Sequence, residues 1–596
     1  MICWANNPGR LSVQLTGLLI AAWFGAAPAL AQAPVPLRPA AAPPGAAAPV
    51  QPLPPVPDTP AREAIGDSVS SGVLGELDFA EVGLLGPENG GFGPDTWRGA
   101  DRALVERLLP LLPVSTPSPT LQNLTRRLLL SAVPPPEGKS SGVSFIGLRL
   151  ERLIEAGQFE LAGKMAALAA GPSKDNALLR ARAEIALAGG EFKQACDLDA
   201  AQIRSSDDIF WLKLSGFCHV QNGDEAAAQL AASLVAEQDS DDTGYQALLG
   251  TLLAKSGKLP EKLPHLDMIQ MAMIRFASLP LPGKIDAQAP AGVLKLAARM
   301  PGAAVQQRLA AAERAEALGA IPAEEVTALY SEMPFTVDDR NRAPELVKRL
   351  PPAEANALMH QSVRAQDSPD SLSLALTTAF SLARASNSFA TVARVNLTPI
   401  RDLIPAPEML PLAAEAGRAL LTAGDPAAAV RWYEMARALS SSGNNPAAAS
   451  AANQLWPLLR LAQPPAAMPD NPDEISAWLA ALPHEEVLKK APLLLSAMSG
   501  LGLTTPESQW VNILSDKAAP GPAPMPPAAL LHLLMQASQS GRTGQTVLLV
   551  LACLGENAAG LQDPFLLGMT VRALTTAGLH DEANALALDA ALLAGL

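Results

Sequence analysis

Residues 410–437 read LPLAAEAGRALLTAGDPAAAVRWYEMAR, and this stretch decides the fold class. Gly417 and Gly424 lie seven residues apart, and Ala429 follows the second glycine by five residues. In a pair of helices, Gly417 would lie on the first helix, where the missing side chain lets the second helix approach closely. Gly424 would take the left-handed conformation that ends the first helix. Ala429 would then supply a small surface on the second helix, so the stretch predicts a helix–turn–helix unit.

The glycine spacing of this stretch recurs along the chain. Turn glycines follow one another at intervals of 33, 33 and 34 residues at Gly157, Gly190, Gly223 and Gly257. The upstream glycine is present in the pairs Gly216/Gly223 and Gly250/Gly257, and the small residue after the turn is present as Ala195, Ala228 and Ala583. Such a period is typical of stacked helix–turn–helix units. The alternative is an irregular all-α fold in which an alanine-rich chain scatters glycines at its turns.

The best copy of the unit resembles the tetratricopeptide repeat (TPR) family. Its small and aromatic residues match that pattern at Gly417, Leu420, Gly424, Ala429, Tyr433 and Ala436. The copy at 207–238 is similar, whereas the copy at Gly257 continues with Lys-Leu-Pro-Glu-Lys and lacks the alanine. The resemblance covers about five units. It implies an all-α chain whose repeats stack into an α-solenoid of TPR-like helix–turn–helix units.

Composition agrees with helices and excludes some partner classes. Of the 596 residues, 49% are hydrophobic but only 4% are aromatic, so the packing must rest on leucine, alanine and valine. This suits closely set helices and argues against a β-sandwich. The formal net charge of −14 leaves no electrostatic footprint for nucleic acid and disfavours binding to anionic lipid.

The N-terminal residues are typical of an export signal. Arg10 is followed by an apolar run and by a small-residue cleavage site that ends at Ala31. We therefore expect residues 1–31 to be removed and the protein to be periplasmic, without stable membrane insertion. The alternative is an uncleaved segment that anchors the protein in the inner membrane through residues 11–30.

The remaining chain divides into regions of different composition. We expect a Pro/Ala-rich disordered linker (32–62), a Gly-rich segment with two N-terminal helices (63–142), TPR-like helical repeats (143–332), a second helical-repeat block with the TPR-like unit at 410–437 (343–462), and a C-terminal helical block (473–596). The two N-terminal helices are predicted at about 98–112 and 119–132, with Phe92 and Trp97 docked onto them. A break over 333–342 separates the two repeat blocks.

The cysteines predict one disulfide bond. Cys196 falls on the second helix of the unit that turns at Gly190, and Cys218 falls on the first helix of the next unit. Those helices should be neighbours in a stacked array, and an oxidising compartment permits a bond between them. The alternative is two buried free thiols, which commonly behave as small apolar residues. Cys553 has no obvious partner.

Motifs with catalytic or ligand-binding chemistry are incomplete in this chain. Residues 138–140 (Gly-Lys-Ser) are similar to the end of a phosphate-binding loop, but Val133 stands where that loop needs glycine and three prolines lack an N–H. Residues 239–250 begin like a calcium loop but end in glycine where a glutamate ligand is required. The six histidines show no ligand spacing. We predict no catalytic, cofactor-binding or metal-binding residue.

A stack of such units forms a concave groove lined mainly by the first helices, and in this family such grooves bind peptides or partner proteins. The candidate groove residues are Arg182, Trp211, Lys213, Tyr245 and Arg418. The alternative for Trp211 and Tyr245 is packing between repeats.

The expected function is that of an exported, non-enzymatic helical-repeat scaffold or adaptor that binds an unidentified cell-envelope protein or peptide through this groove. A second hypothesis is an accessory protein or enzyme that acts on cell-wall peptidoglycan. A third is a passive spacer in the envelope.

Overall fold

Helices supply the regular structure of this protein. A computed structural model describes residues 79–169, 175–204, 206, 208–260, 263–443, 445–462, 472–514 and 525–596. Within these residues the chain contains no β-strand, and two isolated bridges join Leu85 to Ser131 and Asp101 to Glu137. The predicted all-α fold class is confirmed. The expected signal peptide (1–31) and linker (32–62) lie outside the described residues.

The α-helices follow one another in four groups along the described chain. The first group is α1 (Arg102–Leu108) and α2 (Pro119–Leu130). The second group is α3 (Phe145–Glu155), α4 (Phe159–Leu168), α5 (Asn176–Gly189), α6 (Phe192–Gln202), α7 (Ile209–Gln221), α8 (Glu225–Gln238), α9 (Thr243–Leu253), α10 (Met268–Phe276), α11 (Ala291–Ala298), α12 (Val305–Ala317) and α13 (Ala323–Glu332).

The third group is α14 (Val337–Asn341), α15 (Ala343–Leu346), α16 (Pro352–Arg364), α17 (Pro369–Ala385), α18 (Phe389–Val395), α19 (Leu397–Asp402), α20 (Ala413–Thr422), α21 (Pro426–Ser442) and α22 (Pro446–Ala462). The fourth group is α23 (Pro472–Ala481), α24 (His484–Gly500), α25 (Glu507–Asn512), α26 (Ala528–Gln539), α27 (Thr543–Leu554), α28 (Pro564–Thr576) and α29 (His580–Leu593). Short 3-10 helices occupy Phe79–Glu81, Pro87–Asn89, Leu109–Leu111, Val347–Arg349, Pro407–Leu412 and Glu556–Gln562.

Several of the helical hairpins turn with one shared geometry. At the α20–α21 turn, Gly424 has a φ of 76°, and the N–H of Asp425 donates to the carbonyl of Leu420 at 2.8 Å. Only glycine adopts this left-handed conformation without steric cost. The same positive φ is found at the hairpin turns of Gly157, Gly190, Gly223, Gly541 and Gly578. Alanines stand five residues after five of these glycines, and all are 0% exposed: Ala162, Ala195, Ala228, Ala429 and Ala583.

The upstream glycine of the repeat has a different contact from the one expected. A Cβ on Gly417 of α20 would lie 2.5 Å from Cδ2 of Leu455, which belongs to α22 and not to the paired helix α21. The small residue therefore admits the helix of the following unit. A Cβ on Gly250 of α9 would have no heavy atom within 4 Å, so at that copy the glycine serves no close approach.

The degenerate copy at Gly257 does not form a hairpin. Helix α9 ends at Leu253, and Lys255, with a φ of 51°, takes the left-handed position. Pro260 and Pro264 follow, and proline disfavours a helix in its interior because it lacks the N–H and clashes with the preceding turn. The next α-helix starts at Met268.

The segments that flank the first repeat block contain short helices and buried aromatic side chains. Helix α1 is shorter than the predicted 98–112, because Pro110 lacks an N–H and the chain continues as a 3-10 helix. Phe92 and Trp97 are buried; Phe92 lies under the Arg127 guanidinium of α2, and Trp97 packs edge-on against Phe145 of α3. The break at 333–342 contains the short helix α14.

The N-terminal helices of the described chain pack against its C-terminal helices. Helix α2 contacts α27 and α29, and α29 also packs on α22 and α28. One apolar cluster accordingly joins the N-terminal helices to the region after residue 343, while a second cluster occupies mainly α5–α13. In the part of the chain that the structure describes, no helix is both long and apolar enough to cross a bilayer.

Candidate functional site

A cavity of about 500 Å³ lies where three distant parts of the chain meet, and we call it the junction cavity. Its walls come from the segment before α2, from the α12, α17–α18 and α20 region, and from the end of α29. The apolar lining is Pro117, Pro119, Ala317, Phe389, Ala390, Leu592, Leu593 and Ala594, and the polar or charged lining is Arg384, Asn387, Ser388, Thr391, Arg394, Arg418, Thr422 and Asp589.

The α17–α18 turn shapes one side of this cavity. Asn387 has a φ of 55°, and the N–H of Ser388 donates to the carbonyl of Ala383 at 2.9 Å. Asparagine tolerates the left-handed region better than most residues and here occupies the position that glycine holds in the other hairpins. A search for turn glycines alone misses this hairpin, and the Ser-Asn-Ser sequence at 386–388 is the signal that could have found it.

Arg384, just before this turn, is held on one edge by a carboxylate. Its Nε and Nη2 donate to Glu415 of α20 at 2.9 and 2.7 Å. Its guanidinium also lies over the Phe389 ring, 4.8 Å from the centroid. Among the described residues, Nη1 of Arg384 makes no hydrogen bond, so that edge of the guanidinium is free to meet a ligand.

Arg394, just after the turn, is held in the same way. Its Nε and Nη2 both donate to the carboxylate of Glu316, and the Nη2 distance is 2.9 Å. Glu316 is only 5% exposed and also accepts a hydrogen bond from the Thr391 hydroxyl. Nη1 of Arg394 likewise has no hydrogen-bond partner in the described part of the chain. Two arginines of the same cavity therefore share one arrangement.

Arg418 of α20 is the most deeply placed cation of the cavity. It is 7% exposed; Nη1 donates to Gln454 at 3.1 Å and Nη2 donates to the Leu596 O atom at 2.6 Å. Its Nε is buried without a partner among the described residues. Burial lowers the pKa of Arg418 to about 10, and the nearby Arg384 charge acts in the same direction. An unsatisfied N–H of this kind is costly to leave unpaired.

Asp589 of α29 closes the cavity on the other side. Its Oδ2 accepts hydrogen bonds from the Ser118 hydroxyl at 2.5 Å and from the Thr120 N–H at 2.9 Å. Burial raises the pKa of Asp589 above its usual range, although these hydrogen bonds and the Arg394 charge oppose the shift. The junction cavity thus combines apolar walls with guanidinium groups that neighbouring side chains hold in place, an arrangement able to bind an anion.

Four of the five predicted groove residues do not reach this cavity. Trp211 and Tyr245 are both 0% exposed. The Trp211 indole donates to Asn176 at 2.8 Å, and the Tyr245 hydroxyl donates to the Lys213 carbonyl at 2.8 Å. These aromatic rings pack between successive units, which is the alternative given for them above, and they present no surface to a partner.

The predicted basic groove residues mainly join helices. Lys213 donates to Asp239 at 3.0 Å and to Asp242 at 2.6 Å, so the acidic turn that resembled a calcium loop pairs with a lysine. Arg182 donates to the carbonyl of Ala169 at 2.8 Å and thereby caps α4. Arg418 is the member of the predicted set that lines the junction cavity.

Cys196 of α6 and Cys218 of α7 are joined by a disulfide bond. Their Cα atoms are 5.6 Å apart, within the usual range for such a bond. Cys553 is a buried free cysteine. Across the described ranges, no group of three or more His, Cys, Asp or Glu side chains is arranged to hold a metal ion.

Comparison of the chain with protein-family models, with curated proteins and with solved structures found no match. The resemblance to TPR units therefore rests on the residues and turn geometry of this chain. In the described chain, five left-handed turn glycines are each followed five residues later by an alanine that is 0% exposed: Gly157, Gly190, Gly223, Gly424 and Gly578.

Proposed function

We propose that this protein is an exported, non-enzymatic scaffold or adaptor that binds another protein of the cell envelope. The observation that carries the proposal is the repeated hairpin, in which a left-handed glycine is followed five residues later by a fully buried alanine, as at Gly424 and Ala429. Units of this kind serve in TPR proteins to present a surface to a partner. The finer assignment of the fold, an α-solenoid of TPR-like repeats, belongs to the same proposal.

Two features support export to an oxidising compartment. The sequence of residues 1–31 is typical of a signal peptide. The Cys196–Cys218 bond would persist in the periplasm and would be reduced in the cytoplasm. These features agree with each other, although they come from separate parts of the chain.

The surface offered to a partner must differ from the aromatic groove that the sequence suggested, because Trp211 and Tyr245 are buried. Large apolar side chains are exposed instead on three separate helices. Leu230 of α8 is 63% exposed, Leu374 of α17 is 70% exposed and Phe565 of α28 is 62% exposed. We propose that the partner covers one of these faces.

In-cell chemical crosslinking of the tagged full-length protein, followed by mass spectrometry of the purified adducts, tests the proposal. The same tag on an unrelated exported protein is the control. One protein enriched over that control supports an adaptor. Recovery of peptidoglycan fragments without a protein would favour the alternative of a wall-directed accessory protein or enzyme, and recovery of neither would contradict partner binding.

A further inference from the structure

We propose that the junction cavity binds a small molecule that carries one carboxylate on an apolar body. This site is separate from the partner surface proposed above, and a failure of either proposal leaves the other untouched. The inference rests on the hydrogen-bond donors of the cavity, on its charges and on its size.

The donors of the cavity point to a carboxylate. Arg384 and Arg394 are each held through Nε and Nη2 by a glutamate, which leaves Nη1 without a partner in the described structure. Arg418 adds a third positive charge to the lining, but its unpaired Nε is fully buried and does not face a ligand in the cavity. A guanidinium whose orientation is set by a neighbouring carboxylate loses little conformational freedom when it binds an anion. The two Nη1 groups of Arg384 and Arg394 are therefore available as donors to the oxygens of a carboxylate.

The charges of the wall favour a single negative charge over a double one. Glu316 and Glu415 already pair with two of the arginines, and Asp589 lies on the opposite wall. With Asp589 protonated, the three arginines and two glutamates leave about one net positive charge, which a monoanion balances and a phosphate dianion exceeds. Burial raises the pKa of Asp589, so that its repulsion weakens where it is protonated.

The size and the apolar wall call for an apolar body on the ligand. A volume of about 500 Å³ lies within the range of small-molecule pockets, which combine a mostly apolar lining with a few placed polar groups. Phe389 and Leu592 supply that lining beside the arginines. Leu593, 42% exposed, stands at the rim, where the cavity is open to solvent.

The position of the cavity predicts that the ligand stabilises the contact between the two ends of the described chain. Pro117 and Pro119 precede α2, whereas Leu592 and Ala594 end α29. A molecule bound between them contacts both parts at once. Binding that is confined to the folded state raises the temperature of unfolding in proportion to the logarithm of ligand concentration.

A panel of aryl and alkyl carboxylates, each paired with its primary amide, tests the proposal on the purified disulfide-bonded protein. 4-Phenylbutyrate and 4-phenylbutyramide are one such pair, and inorganic phosphate is added as a separate anion. Affinity is measured by ligand-observed NMR and by the shift in unfolding temperature. We expect at least one carboxylate to bind about tenfold or more tightly than its amide, because a charge-assisted hydrogen bond is lost in the amide.

Variants place the binding in the cavity. Ala594→Trp fills the cavity without touching an ion pair, and Arg384→Gln removes one free donor; both should weaken carboxylate binding about tenfold or more. Arg401→Gln is the matched control, since Arg401 pairs with Asp425 at 2.7 Å outside the cavity lining and should leave binding unchanged. If one cavity variant fails to fold, the other still decides the matter.

Four results would overturn the proposal. These are equal binding of acids and amides, binding that survives Ala594→Trp, tighter binding of phosphate than of every carboxylate, and no binding by any member of the panel. An N-acetyl dipeptide with a free carboxylate serves as the last probe. If it binds tightly while the small carboxylates do not, the cavity recognises the C-terminal carboxylate of a peptide and the small-molecule proposal fails.

Discussion

The guanidinium of Arg127 on α2 contacts the carboxylate of Glu582 on α29 at 2.5 Å, although 455 residues separate them in the chain. The side chains are 18% and 17% exposed, so water screens the pair only partly. Glu556 makes a second contact of this kind, since it accepts the N–H groups of Val114 and Ser115 at 2.9 Å each. The N-terminal helices are thus held to the C-terminal ones by hydrogen bonds as well as by apolar packing.

The Arg127–Glu582 pair should contribute measurably to stability. A double-mutant cycle with Arg127→Gln and Glu582→Gln should give a coupling free energy of about 1–3 kcal/mol from urea unfolding, because a hydrogen bond between partly buried charged groups is lost. The pair Lys193–Asp197 is the control; it is highly exposed, and its coupling should be below about 0.5 kcal/mol. Equal coupling free energies in the two cycles would contradict a partly buried ion pair between Arg127 and Glu582.

The Cys196–Cys218 bond should stabilise the folded chain. It joins residues 22 positions apart, and closing a loop of that length restricts the unfolded state by about 3 kcal/mol. Replacing both cysteines by alanine should therefore lower the midpoint of urea unfolding. Reductant should lower the midpoint of the wild-type protein and leave that of the double variant unchanged; a wild-type protein insensitive to reductant would count against the bond.

Two glycine substitutions should change stability in opposite directions. Gly417→Ala would place a Cβ 2.5 Å from Leu455, which is fully buried, and should destabilise the protein by about 1–3 kcal/mol. Gly250→Ala lies in helix α9 with open space around the new Cβ, and should stabilise it by about 0.5–1 kcal/mol. Thermal unfolding of both variants measures the difference, and destabilisation of the same size in both would disprove the assigned role of Gly417.

Asp199 should make stability depend on pH. It is 4% exposed, its Oδ1 has no partner among the described residues, and burial raises the pKa of its carboxyl to about 7, with the Ser215 hydroxyl opposing the shift. The folded state then binds this proton more tightly than the unfolded state, whose pKa is about 4. The stability associated with this group is complete below about pH 4 and is lost as the pH rises through about 7.

The variant Asp199→Asn removes this dependence. Its unfolding free energy relative to the wild-type protein should increase between about pH 4 and pH 8 and level off above that range. Asp197→Asn on the same helix is the control, because that side chain is 66% exposed and should leave the pH profile unchanged. Parallel profiles for wild type and Asp199→Asn would show that the Asp199 carboxyl is not buried as described.

Local sequence patterns predicted the helical hairpins but not the packing of the N-terminal helices against the C-terminal ones. The turn geometry at Gly424 and the burial of Ala429 follow from residues a few positions apart, so the repeat period was sufficient to predict them. The turn at Asn387 was not predicted, because asparagine stands there in place of the turn glycine. The contact between Arg127 and Glu582 depends on how helices at opposite ends of the described chain pack together, and no short sequence pattern encodes that.

The site was harder to predict for the same reason. Trp211 and Tyr245 lie on predicted first helices, but such helices are covered on more than one side, and a pattern of large residues does not show which side remains open. Arg384 and Arg394 flank a turn that was not recognised, and their glutamate partners come from other helices. Arg418 was identified, although its contacts with Gln454 and Leu596 were not.

Site-specific photo-crosslinking in living cells tests the central proposal, partner binding, most directly. A photoreactive residue is placed in turn at Leu230, Leu374 and Phe565, whose side chains are exposed on three different helices. We predict that one envelope protein is captured from one of these faces and not from the other two. Capture of no protein from any face, or of peptidoglycan fragments alone, would contradict the proposal that this protein is an adaptor.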